Sequence, residues 1–92
     1  MERYVVERTL PGAGSLSEQE LRDLSAKSNE VLAGMGDEIS WVQSYVTDEK
    51  LYCVYDASDP ERIEEHARQG GFPCDSASSV REVIGPETES GR

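Results

Sequence analysis

Hydrophobic and polar residues alternate, or cluster as β-branched and aromatic residues, in four segments of the chain. These segments are residues 4–9, 39–47, 50–56 and 79–84, and each is bounded by turn-forming residues. Alternation with period two and β-branched enrichment are typical of strands. The pattern therefore predicts four short strands.

Two further segments have apolar residues at helical spacing. Ser17 stands three residues before Glu20, which is the spacing of a capping box. An apolar stripe then continues to Met35, and glycines follow the helix. Asp59 before Pro60 predicts an N-cap with proline at the first helical position, and this second helix is expected to run to about Gln69 and to stop at the glycines 70–71. The face expected to be buried comprises Ile63, His66 and Ala67.

The elements follow one another in the order βαββαβ, which predicts an α+β ferredoxin-like fold with both helices on one face of an antiparallel sheet. The chain has 92 residues, enough for one domain. We assign residues 1–85 to this domain and residues 86–92 to a polar, flexible tail.

A hairpin centred on Asp48 and Glu49 fixes the expected register of the middle strands. It pairs Val46 with Leu51, Ser44 with Cys53 and Val42 with Tyr55, unless a bulge shifts the strands. The face away from the helices would then carry Trp41, Gln43, Tyr45, Tyr52 and Val54.

An aromatic surface of this size is expected to be buried against another part of the chain or against a partner. We expect a homodimer that packs sheet against sheet, as in dimeric α/β barrels. The alternative is that a loop or the tail folds over this face.

The charge balance limits the partners. Lys and Arg total 9 against 19 Asp and Glu, a formal net charge of −10. Such a surface repels phosphate backbones and anionic membranes, whereas metal cations and basic proteins are permitted. The N-terminus has no signal-peptide pattern, no apolar run has the length of a membrane span, and Cys53 and Cys74 do not form a disulfide framework. We expect a cytoplasmic protein with free thiols.

Few residues suggest chemistry. The chain has no phosphate-binding glycine loop and no paired-histidine motif, so no enzyme signature is present. His66 is the sole histidine. Imidazole binds nickel, copper and zinc and titrates near neutrality, but a histidine on a helix face is more often a structural residue with one hydrogen bond. Cys74, which follows Pro73, is expected to be accessible.

Four segments together resemble a known family: residues 3–9, 26–29, 41–55, and 65–68 with 71–73. The family is a set of small bacterial ferredoxin-like proteins, long catalogued as a domain of unknown function, with a Streptomyces member described as nickel-binding. The resemblance implies a dimer that binds Ni²⁺ at its surface, for sequestration or detoxification. His66 is then the first-choice ligand, with Glu7, Glu65 and Cys74 as companions. Many members carry histidine where this chain has Gln43.

Two other functions stay open. One is a small-molecule binder or cofactor-free enzyme of the dimeric α/β-barrel type, with a pocket between sheet and helices. Its candidate lining residues are Tyr4, Trp41, Tyr45 and Tyr52, with Glu7 and His66. A closed apolar pocket of several hundred Å³ would favour this function, given the usual size of ligand sites. The other is an interaction module whose acidic surface meets a partner protein.

Overall fold

The computed structural model describes residues 1–91, and its strands and helices follow the predicted order. The elements are β1 (Glu2–Thr9), α1 (Glu18–Ala33), β2 (Ile39–Val46), β3 (Lys50–Ala57), α2 (Pro60–Gly70) and β4 (Ser76–Ser79). The sheet is antiparallel with the strand order β2-β3-β1-β4, so β1 and β3 are central. This arrangement agrees with the predicted ferredoxin-like fold.

Both helices begin where their capping residues predict. Ser17 Oγ accepts a hydrogen bond from the Glu20 amide at 3.1 Å, and Glu20 Oε1 accepts one from the Ser17 amide at 3.0 Å. Asp59 caps α2 by accepting from the Arg62 amide at 3.2 Å. Within residues 1–91, neither helix is long and apolar enough to cross a lipid bilayer.

The core lies between the helices and one face of the sheet. Alternate residues of β1 and β3 point into it, and α2 covers them with the predicted residues Ile63, His66 and Ala67. The buried strand residues are Tyr4, Val6 and Arg8 of β1 and Leu51, Cys53, Tyr55 and Ala57 of β3. The prediction that Cys53 faces the helices is confirmed.

The register of the hairpin is confirmed near its turn and wrong beyond it. Val46 pairs with Leu51 and Ser44 with Cys53, but an irregularity between Trp41 and Gln43 places Trp41, not Val42, opposite Tyr55. A bulge inserts one residue and so moves the following side chains to the other face. Trp41 therefore packs against the core. It does not lie on the face of the sheet away from the helices, the open face, which carries Tyr45, Tyr52 and Val54.

The last strand was predicted too late in the chain. Pairing with β1 begins directly after Cys74, where the Asp75 amide donates to the Glu7 carbonyl at 2.8 Å, and β4 comprises Ser76–Ser79. Pairing continues only as far as β1 extends, so Val83 and Ile84 are exposed despite their strand propensity. Strand formation here follows the available partner more than the residue types.

The predicted tail is polar, and its residues Pro86–Ser90 form a short 3₁₀ helix. Its last residue, 92, lies outside the described residues.

Candidate functional site

An open cleft of about 280 Å³ lies between α1, the end of α2 and the helix-facing side of the sheet. Leucines of α1 and of β3 form much of its wall, together with Trp41 and Phe72. The complete lining comprises Arg8, Leu10, Leu21, Leu24, Ser25, Lys27, Ser28, Trp41, Ser44, Val46, Leu51, Cys53, Tyr55, Gly70, Gly71, Phe72 and Pro73. The cleft is thus mainly apolar, with a few polar groups.

Arg8 is the most unusual of these polar groups, because its side chain is only 2% exposed. Its guanidinium donates to the Pro73 carbonyl at 2.5 Å and to Tyr55 Oη at 3.2 Å. It lies 5.9 Å from the centre of the Tyr55 ring and 5.7 Å from that of Phe72. No Asp or Glu in the described chain forms an ion pair with it.

Tyr55 does not neutralise this cation. Burial raises the pKa of Tyr55 to about 12, although the positive charge of Arg8 opposes the shift. The phenol is therefore protonated at neutral pH, and Arg8 stands as a buried charge without a counterion among residues 1–91. Such burial is rare, since removing an ion from water is costly unless it is paired.

His66 lies in the layer behind the cleft and is 1% exposed. Its ring packs between those of Tyr55 and Phe72 in tilted geometry, with centroid distances of 5.4 and 5.1 Å. Gly70 permits this packing, because a Cβ at that position would overlap the Phe72 ring. His66 Nε2 is 3.1 Å from the hydroxyl of Ser28, which lines the cleft, whereas Nδ1 is buried without a partner among the described residues.

The electrostatics keep this histidine neutral. Burial, and secondarily the charge of Arg8, lower the pKa of His66 to about 4, although hydrogen bonding to the backbone of Ser28 opposes the shift. A neutral imidazole has the lone pair that a metal requires. The ring is enclosed, however, so a metal could reach it only if its neighbours moved.

The structure separates the predicted metal ligands. Glu7 lies on the sheet face opposite His66, where its carboxylate is 3.1 Å from Lys50 Nζ. Glu65 is on α2 and contacts Arg68 and Gln69. Cys74 is an exposed free thiol in the loop before β4. Across residues 1–91, no three His, Cys, Asp or Glu side chains form a group that could hold a metal ion.

The predicted pocket residues are also divided between the two faces of the sheet. Trp41 lines the cleft and donates from Nε1 to Ser44 Oγ at 2.9 Å. Tyr4 is buried in the core but does not line the cleft. Tyr45 and Tyr52 pair across β2 and β3 on the open face, where Tyr45 is 57% exposed.

Within residues 1–91 of a single chain, the open face is accessible to solvent. Val5 is 36% exposed there, and Gln43 donates to Tyr45 Oη at 2.6 Å. The described residues of the tail leave Val5 and Tyr45 accessible, so they do not cover this face.

Sequence reasoning missed Arg8 as a cleft residue, although a signal was available. Tyr4, Val6 and Arg8 occupy alternate positions of one strand and so share one face. Because Tyr4 and Val6 belong to the core, the same alternation places the Arg8 side chain inside. The bulge that brings Trp41 to the cleft had no comparable signal.

Comparisons with known proteins agree with the fold. The chain has a TM-score of 0.74 to the crystal structure of SCO4226 from Streptomyces coelicolor A3(2), at 12% sequence identity, covering 89% of this chain and 99% of that one. No curated protein matches the chain. Residues 4–80 match the family model described as nickel responsive protein SCO4226-like. The chain therefore belongs to the SCO4226-like family of nickel-responsive proteins.

Proposed function

We propose that this protein is a homodimer that binds Ni²⁺ at the surface where its two sheets meet. The observation that carries the proposal is the family match, which spans residues 4–80 of the 92-residue chain. The net charge of −10 favours cation binding over anion binding at the surface. Both cysteines are free thiols, which supports a cytoplasmic location as part of the proposal.

A shared site is consistent with the absence of a three-ligand group within residues 1–91 of one chain. Of the four candidate ligands, Glu7 lies on the open face, which is the surface that a partner would cover. The register aligns Glu7 with Tyr52 and Tyr52 with Tyr45, so these three residues lie in a row across the strands. Packing two such faces would bring two rows together.

This arrangement offers oxygen and amide donors without imidazole. Gln43, on the same face, supplies a side-chain carbonyl, which is a harder ligand than imidazole. We therefore expect weaker Ni²⁺ binding than a histidine site gives. Binding must also displace Lys50 from Glu7, because a cation and a metal ion compete for the same carboxylate.

Isothermal titration calorimetry of tag-free protein with NiCl₂ tests the proposal. We expect saturable binding at about one Ni²⁺ per two chains or per chain, and we expect Glu7→Gln to weaken it by about tenfold or more, since a charged ligand becomes neutral. His66→Gln should leave the isotherm unchanged because His66 is enclosed. Glu30→Gln, on the exposed surface of α1, is the matched control for the loss of one charge.

The outcomes separate the parts of the proposal. Absence of saturable binding to the wild-type protein would reject nickel binding. Weaker binding in His66→Gln but not in Glu7→Gln would show that nickel binds in the core.

Light scattering at several protein concentrations tests the dimer. Val54→Asp on the open face should yield monomers, and a monomeric wild-type protein would reject the shared site.

A further inference from the structure

The charges around the cleft are opposite in sign to those of the molecule as a whole. The chain has 19 acidic and 9 basic residues, yet the charged residues that line the cleft are Arg8 and Lys27. Within residues 1–91, no Asp or Glu belongs to its lining. A positively charged cleft in an acidic protein favours an anionic occupant.

Arg8 supplies the specific recognition element. A guanidinium has five N–H donors in a planar fork, and the contacts to Pro73 and Tyr55 use two of its nitrogen atoms. Both of those partners are uncharged at neutral pH, so the positive charge is uncompensated by residues 1–91. A carboxylate matches the fork by accepting two parallel hydrogen bonds.

The remaining walls define the rest of the ligand. Trp41, Phe72 and Leu51 present apolar surface, and the serines at positions 25, 28 and 44 add hydroxyl groups. The volume of about 280 Å³ is just below the range of roughly 300–1,000 Å³ that is usual for ligand pockets. An apolar body of one or two rings therefore fits better than a nucleotide or a long chain.

We propose that the cleft binds a small monocarboxylic acid with an aromatic or branched aliphatic body, whose carboxylate pairs with Arg8. A phosphate monoester is disfavoured, because a dianion requires more donors than this mostly apolar lining provides. The site is on the covered side of the sheet, so it is separate from the nickel site proposed on the open face.

The test compares 2-naphthoate with its neutral amide, 2-naphthamide, in metal-free buffer. Trp41 is the single tryptophan, and its indole N–H reports on the cleft in a ¹H–¹⁵N correlation spectrum. We expect naphthoate to shift this resonance saturably and to bind about tenfold or more tightly than naphthamide, because a charge-assisted pair is lost in the amide.

Two variants separate the role of Arg8 from the integrity of the fold. Arg8→Met should reduce the preference for naphthoate over naphthamide to about one, and Arg8→Lys should restore part of it by returning the charge without the fork. Lys50→Met, on the open face, removes a cation away from the cleft and should preserve the preference.

Equal binding of naphthoate and naphthamide to the wild-type protein would overturn the proposal, and so would the failure of both probes to shift the Trp41 resonance. These wild-type comparisons need no variant to fold. They are made without nickel, so their outcome is independent of the metal-binding proposal.

Discussion

The two faces of the sheet are formed by the same strands but differ in burial and in the pairing of their charges. The covered face packs Val6, Tyr55 and Ala57 against the helices, and these three side chains are buried. The open face alternates valines and tyrosines with ion pairs such as Arg3–Asp56 and Glu7–Lys50. These charges on the open face are paired, whereas Arg8 on the covered face has no charged partner within residues 1–91.

This contrast separates stability from recognition. An exposed ion pair contributes little, because water already solvates both charges. A buried unpaired cation opposes folding, so its retention indicates a role other than stability. The open face is therefore suited to association, and the covered face contains the better-defined small-molecule site.

The largest expected effect is on the covered face. Ile63 of α2 is completely buried against the sheet, so Ile63→Ala should lower the free energy of unfolding by about 3–4 kcal/mol, through lost burial and the cavity left behind. Val54→Ala on the open face should cost less than about 1 kcal/mol. Urea denaturation measures both, at the lowest usable protein concentration because association stabilises the folded chain.

Equal costs for the two substitutions would contradict the distinction between the faces. A cost of Val54→Ala that grows with protein concentration would instead show that the open face is buried by association.

The second prediction concerns the pH dependence of the covered face. The pKa of His66 is about 4 in the folded protein, against an ordinary value of 6.5. Between these values the unfolded chain binds a proton that the folded chain does not, so stability is fully present above about pH 6.5 and falls as the pH approaches 4. The full loss attributable to this residue is roughly 3 kcal/mol.

His66→Gln is the appropriate comparison, since glutamine can still hydrogen-bond with Ser28 but does not titrate. Its unfolding free energy should change less than that of the wild-type protein between about pH 7 and 4.5. Parallel curves for the two proteins would show that the imidazole is protonated without penalty, and hence that it is more accessible than its packing indicates.

Most of the fold could be predicted from the sequence because its signals are local. The capping box at Ser17, the Asp59–Pro60 start of α2 and the β-branched strands depend on neighbouring residues alone. The two errors, the bulge at Trp41 and the position of β4, both depend on which strand lies alongside. Residue type did not contain that information.

The candidate sites were harder to predict for the same reason. The periodicity of α2 predicts that His66 is buried, but its enclosure by Tyr55 and Phe72 requires α2, β3 and the loop after α2 to come together. The cleft depends on the bulge, because without it Trp41 would face away from the helices. The expectation of nickel binding rests on the resemblance of four segments of the chain to a known family. It does not rest on the spacing of metal-ligating residues.

The smallest expected effect is on the open face, at the pair formed by Arg3 and Asp56. Arg3 donates from Nε and from a terminal nitrogen, both at 2.9 Å, to the two carboxylate oxygens of Asp56. The hydrogen bond from Arg3 holds the pKa of Asp56 below its ordinary value, with the charge of Arg3 acting in the same direction. The contribution of this pair to stability is therefore present above the ordinary pKa of Asp56 and is lost as the pH falls through the lowered pKa.

Arg3→Gln should raise the pKa of Asp56, which carboxyl NMR measures. Because both side chains are accessible to water, the substitution should change the denaturation midpoint little. The Asp56 shift should also shrink as salt is added, since exposed pairs are screened. A salt-independent shift would contradict this expectation and would show that the direct hydrogen bonds from Arg3, which salt does not screen, determine the pKa of Asp56.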